Sequence, residues 1–116
     1  MSERTDSDFA RDMEEAIRRI SAYTDGLSYE AFLLDTKTQD AIVRNLEIIG
    51  ETAKNISAHL RAKHAEIPWK SMAGVRDRLI HDYFGVNFDI VWEIISNDLP
   101  KVMGPLKRLL GEEASE

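Results

Sequence analysis

Apolar residues recur three and four positions apart in every long segment of this chain, the spacing that collects side chains on one face of a helix. Behind a cap at Asp6 or Ser7, the run Phe9, Met13, Ala16, Ile17, Ile20 and Tyr23 predicts a first helix that Gly26 stops. Ser28 can cap a short second helix carrying Tyr29, Phe32 and Leu33, followed by the polar turn Asp35 to Thr38. From Thr38, the positions Ala41, Ile42, Leu46, Ile48, Ile49, Ala53, Ile56 and Leu60 sustain one face for about six turns, so this third helix should be the spine. It ends in the basic stretch Arg61, Lys63, His64.

A fourth helix is predicted from Pro68, which suits a first turn, to Gly85, which suits a C-cap. Trp69, Met72, Ala73, Leu79, Ile80 and Tyr83 mark its buried face, with Arg76 in the middle of that line. Asn87 can cap a fifth helix with Ile90, Val91, Ile94, Ile95 and Leu99 inward and Trp92 over a neighbour. Pro100 should end or kink it, because proline lacks the helix donor and crowds the preceding turn. A last piece, Val102 to Leu110, is interrupted by Gly104 and Pro105, and the acidic tail Glu112 to Glu116 is expected to be disordered. With no strand alternation or repeat, the pattern predicts an all-α fold, a small up-and-down bundle of about five helices. Residues 1–116 form one domain, with a core of about 6–110.

Composition narrows the function classes. The 116 residues contain no cysteine, which removes disulfides, thiolate nucleophiles and cysteine zinc sites. No apolar run spans a membrane and no signal-peptide pattern is present, so the expected location is the cytoplasm. The net charge of −6 argues against a broad nucleic-acid surface. Its distribution is uneven: Lys+Arg against Asp+Glu is 4 to 9 over residues 1–35, 8 to 6 over 36–85, and 3 to 6 over 86–116. Only the central segment is net basic, so any RNA contact should be local.

Candidate chemistry concentrates in Arg76-Asp77-Arg78-Leu79-Ile80-His81-Asp82-Tyr83. An arginine on an apolar line needs a partner or an open cleft. On a continuous helix Arg76 and Tyr83 share a face and Asp77 and His81 lie one turn apart, whereas Arg76 and His81 diverge by roughly 140°. The plainer alternative is that Asp77 with His81 and Arg78 with Asp82 are surface pairs, with Arg76 capping a neighbouring helix. His59 and His64 read as exposed helix-end residues, not ligands, and Asp40, Glu47 and Glu51 read as a solvated face beside Arg44 and Lys54. No metal and no cofactor is expected.

The spacing Arg76, His81, Tyr83 resembles the signature of HepT-like toxins in the HEPN superfamily of helical ribonucleases. The likeness extends through Thr38-Gln39-Asp40-Ala41, Arg44-Asn45-Leu46-Glu47-Ile48-Ile49-Gly50-Glu51, Trp69-Lys70, Met72-Ala73-Gly74 and His81-Asp82-Tyr83-Phe84-Gly85 into Asp89-Ile90-Val91-Trp92, covering about residues 5–110. It implies a homodimer with the two motif helices across a cleft, within a larger hetero-oligomer. It further implies the toxin of a type II toxin-antitoxin pair, a metal-independent endoribonuclease acting on RNA, transfer RNA among the candidates. Its antitoxin would be a nucleotidyltransferase that adenylylates Tyr83.

In that chemistry His81 would move the proton of the RNA 2′-hydroxyl, Asp77 would orient its ring, and Arg76 would face the developing phosphorane charge. Tyr83 would contact phosphate or base, and Lys70 and Arg78, with Arg61 and Lys63, are candidates for steering RNA. Many relatives have asparagine where this chain has Asp77, which adds negative charge beside the phosphate site. The alternative from another class is a non-catalytic helical binding module that serves a nucleotidyltransferase as its nucleotide- or substrate-binding partner.

Overall fold

A computed structural model describes residues 4–80 and 85–115. The described residues are helical apart from short turns and one isolated bridge. Helix α1 (Asp6–Thr24) starts one residue earlier than its apolar pattern suggests. Thr5 is the cap: its hydroxyl accepts from the Asp8 N–H at 3.1 Å, while the Asp8 carboxylate accepts from the Thr5 N–H at 2.9 Å. That reciprocal bonding leaves Asp6 available, and its carboxylate accepts from the backbone N–H and hydroxyl of Ser57 at 2.9 and 2.6 Å.

Helix α2 (Tyr29–Leu33) is capped by Ser28 as expected and buries Phe32 completely. Helix α3 (Thr36–Asn55) begins two residues before the expected start because Asp35 caps it, accepting from the backbone N–H and hydroxyl of Thr38 at 3.0 and 2.6 Å. Its inward residues Ile42, Leu46, Ile49 and Ala53 share one buried core with Ala10, Met13, Ile17 and Ile20 of α1. This α1 and α3 contact is the centre of the core. The spine is shorter than the apolar pattern implies: Ile56 is extended, Ser57 recaps the chain, and α4 (Ala58–Lys63) sets off separately. Ile56 and Leu60 are nonetheless both buried, so the apolar period continues across a break in the backbone.

The expected fourth helix is two short ones, α5 (Trp69–Ala73) and α6 (Val75–Leu79), separated at Gly74. The expected fifth helix does not stop at Pro100. Helix α7 (Phe88–Glu93), capped by Asn87, continues through a π-helical turn over Ile94–Asp98 into α8 (Leu99–Ser115). The wider turn places Pro100 in the first turn of α8, where a missing donor is tolerated. Trp92 covers a neighbour as expected, tilting over Phe32 at 5.1 Å between ring centroids.

The tail is a second correction. Residues Glu112 and Glu113 are helical and close onto α4, with the Glu113 carboxylate 3.2 Å from the Lys63 ammonium. His64, expected at the surface, is 3% exposed beneath them, its Nε2 3.5 Å from a carboxylate oxygen of each. Among the described residues no helix is long and apolar enough to cross a membrane.

Candidate functional site

Gly50 brings the motif segment against the spine. A Cβ there would lie 3.2 Å from Val75 Cγ1 and 3.4 Å from the Met72 carbonyl oxygen, so glycine permits this approach of α3 to α5 and α6 without displacing Val75. Buried Trp69, Met72, Val75 and Leu79 hold the two short helices down. The indole N–H of Trp69 donates to the His64 carbonyl at 3.0 Å, which fastens the α4 to α5 turn.

The break at Gly74 changes which face is inward. Val75 takes the buried place that a continuous helix would have given to Arg76, and Arg76 is exposed. It borders a polar depression of about 360 Å³ on α3, shared with Arg44, Glu47, Glu51 and Lys54. Among the described residues Arg76 makes no ion pair, so it neither sits on an apolar stripe nor caps a helix. Asp77 is exposed on the next position of the same short helix.

Helix α6 ends at Leu79, and Ile80 is extended and partly exposed. The helical register used above to relate Arg76 and Asp77 to His81 and Tyr83 therefore does not reach them. His81, Asp82, Tyr83 and Phe84 lie outside the described residues, and so does the expected Arg78 to Asp82 pairing. Both flanks of that segment are held together: Ile80 and Val86 form an antiparallel bridge, and the Asn87 N–H donates to the Leu79 carbonyl at 2.7 Å. Gly85, next to Val86, has φ +89°, and whether it caps a helix as expected depends on residues outside the described ones.

Lys70 and Arg78 are exposed and share a depression over α5 with Arg61. The Arg78 guanidinium lies 3.4 Å from the carboxylate of Asp98 on the π-turn and 3.4 Å from the Ser71 hydroxyl. Among the described residues no three His, Asp or Glu side chains group as metal ligands would. Sequence reasoning missed Gly50, although a glycine inside a strong helical period is a sign of close backbone approach. It also missed Asn45, which is 5% exposed and whose Nδ2 donates to the Ala41 carbonyl at 2.8 Å while its Oδ1 has no donor among the described residues.

Comparison with known proteins identifies the relatives. The family described as ribonuclease HepT-like matches residues 13–109. This chain belongs to the HepT-like ribonuclease family. A Thermococcus cleftensis protein named "Probable ribonuclease HepT" is 44% identical over 106 residues, covering 91% of this chain and 96% of the relative. A relative from Caldanaerobacter subterraneus subsp. tengcongensis with RNase in its name is 48% identical over 88 residues, 76% of this chain and 79% of its own. Another so named, from Methanocaldococcus jannaschii, is 38% identical over 108 residues, 93% of this chain and 89% of its own. No solved structure gives a significant match.

Proposed function

We propose that this HepT-like chain is a metal-independent endoribonuclease, the toxin of a toxin-antitoxin pair acting in the cytoplasm. The observation that carries the reading is the match over most of the chain to relatives named as ribonucleases. Arg76 supports it, because its exposed guanidinium has no carboxylate partner among the described residues and is available to an RNA phosphate.

In the proposed reaction, His81 accepts the proton of a 2′-hydroxyl, and that oxygen attacks the adjacent phosphorus. The bond from phosphorus to the 5′ oxygen breaks, and the leaving oxygen takes a proton. The products are a 2′,3′-cyclic phosphate and a 5′-hydroxyl. Arg76 stabilises the crowded phosphorane through charge-assisted hydrogen bonds. Asp77 orients His81, and Tyr83 contacts substrate. The chain acts as a homodimer in which two motif segments line one cleft. A nucleotidyltransferase antitoxin silences it by adenylylating Tyr83, which places bulk and negative charge where RNA phosphate would sit.

The test is incubation of unmodified protein with cellular RNA in the presence of chelator, with mapping of the product ends. Wild type is expected to cut and leave cyclic-phosphate ends, and His81→Ala to lose at least a hundredfold in rate. Ends bearing 5′-phosphate would sink the mechanism. No cleavage by protein whose mass shows an unmodified Tyr83 would favour the non-catalytic binding module.

A further inference from the structure

Arg76 and Arg78 are two positions apart on α6 and face different grooves. Arg78 stands where two depressions adjoin, one of about 770 Å³ over α5 and one of about 350 Å³ between α5, α6 and the start of α8. Pro68 and Ser71 also border both, so they form one continuous groove. Four cations line it, Arg61, Lys70, Arg78 and Lys101, against a single carboxylate, Asp98. Arg61, Lys70 and Lys101 make no ion pair among the described residues. On a chain of net charge −6, a groove this basic is a local exception. The smaller depression has an apolar floor that includes Leu46, Met72, Val75 and Val102, and its volume lies in the range of ligand pockets, roughly 300–1,000 Å³.

We propose that this groove binds single-stranded RNA, with phosphates along Arg61, Lys70, Arg78 and Lys101 and one unpaired base in the apolar depression. Charge complementarity selects a polyanion, and the alternation of cations with an apolar recess suits a strand that offers both phosphates and splayed bases. A duplex would keep its bases stacked and leave the recess empty. Arg78 belongs to the motif helix and lies three positions before His81, so a strand seated here leads toward the motif segment. The choice of RNA rests on the ribonuclease reading above. Binding through the groove does not depend on cleavage, so the two can fail separately.

The experiment measures binding of a fluorescent single-stranded RNA by polarisation across a salt series, in full-length His81→Ala protein so that the strand stays intact. The probe variant is Lys70→Gln with Lys101→Gln, and the control is Lys37→Gln with Lys107→Gln, which removes the same charge from exposed positions outside the groove. Losing two phosphate contacts should lower the slope of log affinity against log salt by about 1.4, which is roughly a 50-fold loss at 50 mM salt. The control pair should lose less than threefold. Equal losses in both pairs would reduce the groove to bulk charge and overturn the proposal. An unchanged affinity in the groove pair would also overturn it, and would leave the surface to an acidic protein partner. Cleavage by the parent chain carrying His81, assayed separately, decides the ribonuclease reading alone.

Discussion

Replacing Gly50 with alanine sets two effects of opposite sign against each other. Gly50 lies inside α3, where alanine is favoured over glycine by about 1 kcal/mol through helix propensity. The new methyl would stand 3.2 Å from Val75 Cγ1, closer than the optimum for two carbons, and 3.4 and 3.7 Å from the Met72 and Ala73 carbonyl oxygens. Neither neighbour yields easily. Val75 is β-branched, buried and helical, so its side chain has essentially one favourable rotamer, and the carbonyls belong to the backbone of α5. Overpacking of this kind costs about 1–3 kcal/mol, which exceeds the propensity gain, so Gly50→Ala is expected to destabilise by about 1 kcal/mol. Val75→Ala removes the nearest contact. In that background Gly50→Ala should instead stabilise by about 0.5–1 kcal/mol, a coupling of about 1.5–2 kcal/mol. Urea unfolding of the four proteins at one concentration measures the cycle, which matters if the chain associates. If Gly50→Ala stabilises the wild-type background as much as the Val75→Ala background, the close approach of α3 to the motif helices is not tight and the reasoning fails.

Other predictions bear on the corrected or unanticipated features. Among the described residues Asn45 has a buried acceptor without a donor, and its side chain donates to a carbonyl of its own helix, so Asn45→Leu should raise stability by about 1–2 kcal/mol in urea unfolding. A destabilised variant would show that the amide oxygen has a partner in the working protein. Ending the chain after Leu110 removes the contacts of Glu112 and Glu113 with Lys63 and His64 and should cost about 1 kcal/mol. An unchanged midpoint would mean that the acidic tail contributes nothing to the fold. The Asp35 carboxyl is held below its ordinary value first by the Thr38 hydroxyl, then by the Thr38 N–H, with a smaller contribution from Lys37. Because the folded value is the lower one, its stabilisation is complete above about pH 4 and is lost as pH falls through the folded value. Asp35→Ala should therefore be less stable at neutral pH and show a shallower loss in acid. Parallel curves for the two proteins would remove Asp35 as the cause.

How far the sequence reveals this protein depends on whether a feature follows from periodicity or from a local backbone event. Most of the inward faces of α1 and α3, the caps at Ser28 and Asn87, and the cover of a neighbour by Trp92 follow from spacing and capping chemistry and are found, whereas Tyr23, expected on the face of α1, is exposed. The break at Ile56 leaves the apolar period intact and the one at Gly74 shifts it by a single position, which is why two pairs of helices read as single ones. Pro100 was expected to end or kink its helix, and it does not end it, because a π-turn directly before it absorbs the proline. His64 misled because a polar residue at a helix end is ordinarily solvated, and the acidic segment that buries it looked like a free tail. Lys70 and Arg78 stood out as candidates through the local charge balance, but only folding shows that Lys101, distant in sequence, lines the same groove.

The end of α6 at Leu79 removes the premise of the main geometric objection to the motif. On one uninterrupted helix Arg76 and His81 diverge by roughly 140°, which is difficult to reconcile with a shared phosphate unless a second chain helps. That angle applies only while the helix continues, and α6 ends at Leu79. Beyond it, Ile80 bridges Val86 and the Asn87 N–H donates to the Leu79 carbonyl. These bonds tie the far end of the motif segment back to the helix that carries Arg76. Arg76 and the two flanks of the motif segment are thus tied to one short helix, whose position is set by its seating on Gly50. A five-residue helix has little stability of its own. Its register, and with it the direction in which Arg76 and Arg78 point, therefore depends on the burial of Val75 and Leu79 more than on helix propensity.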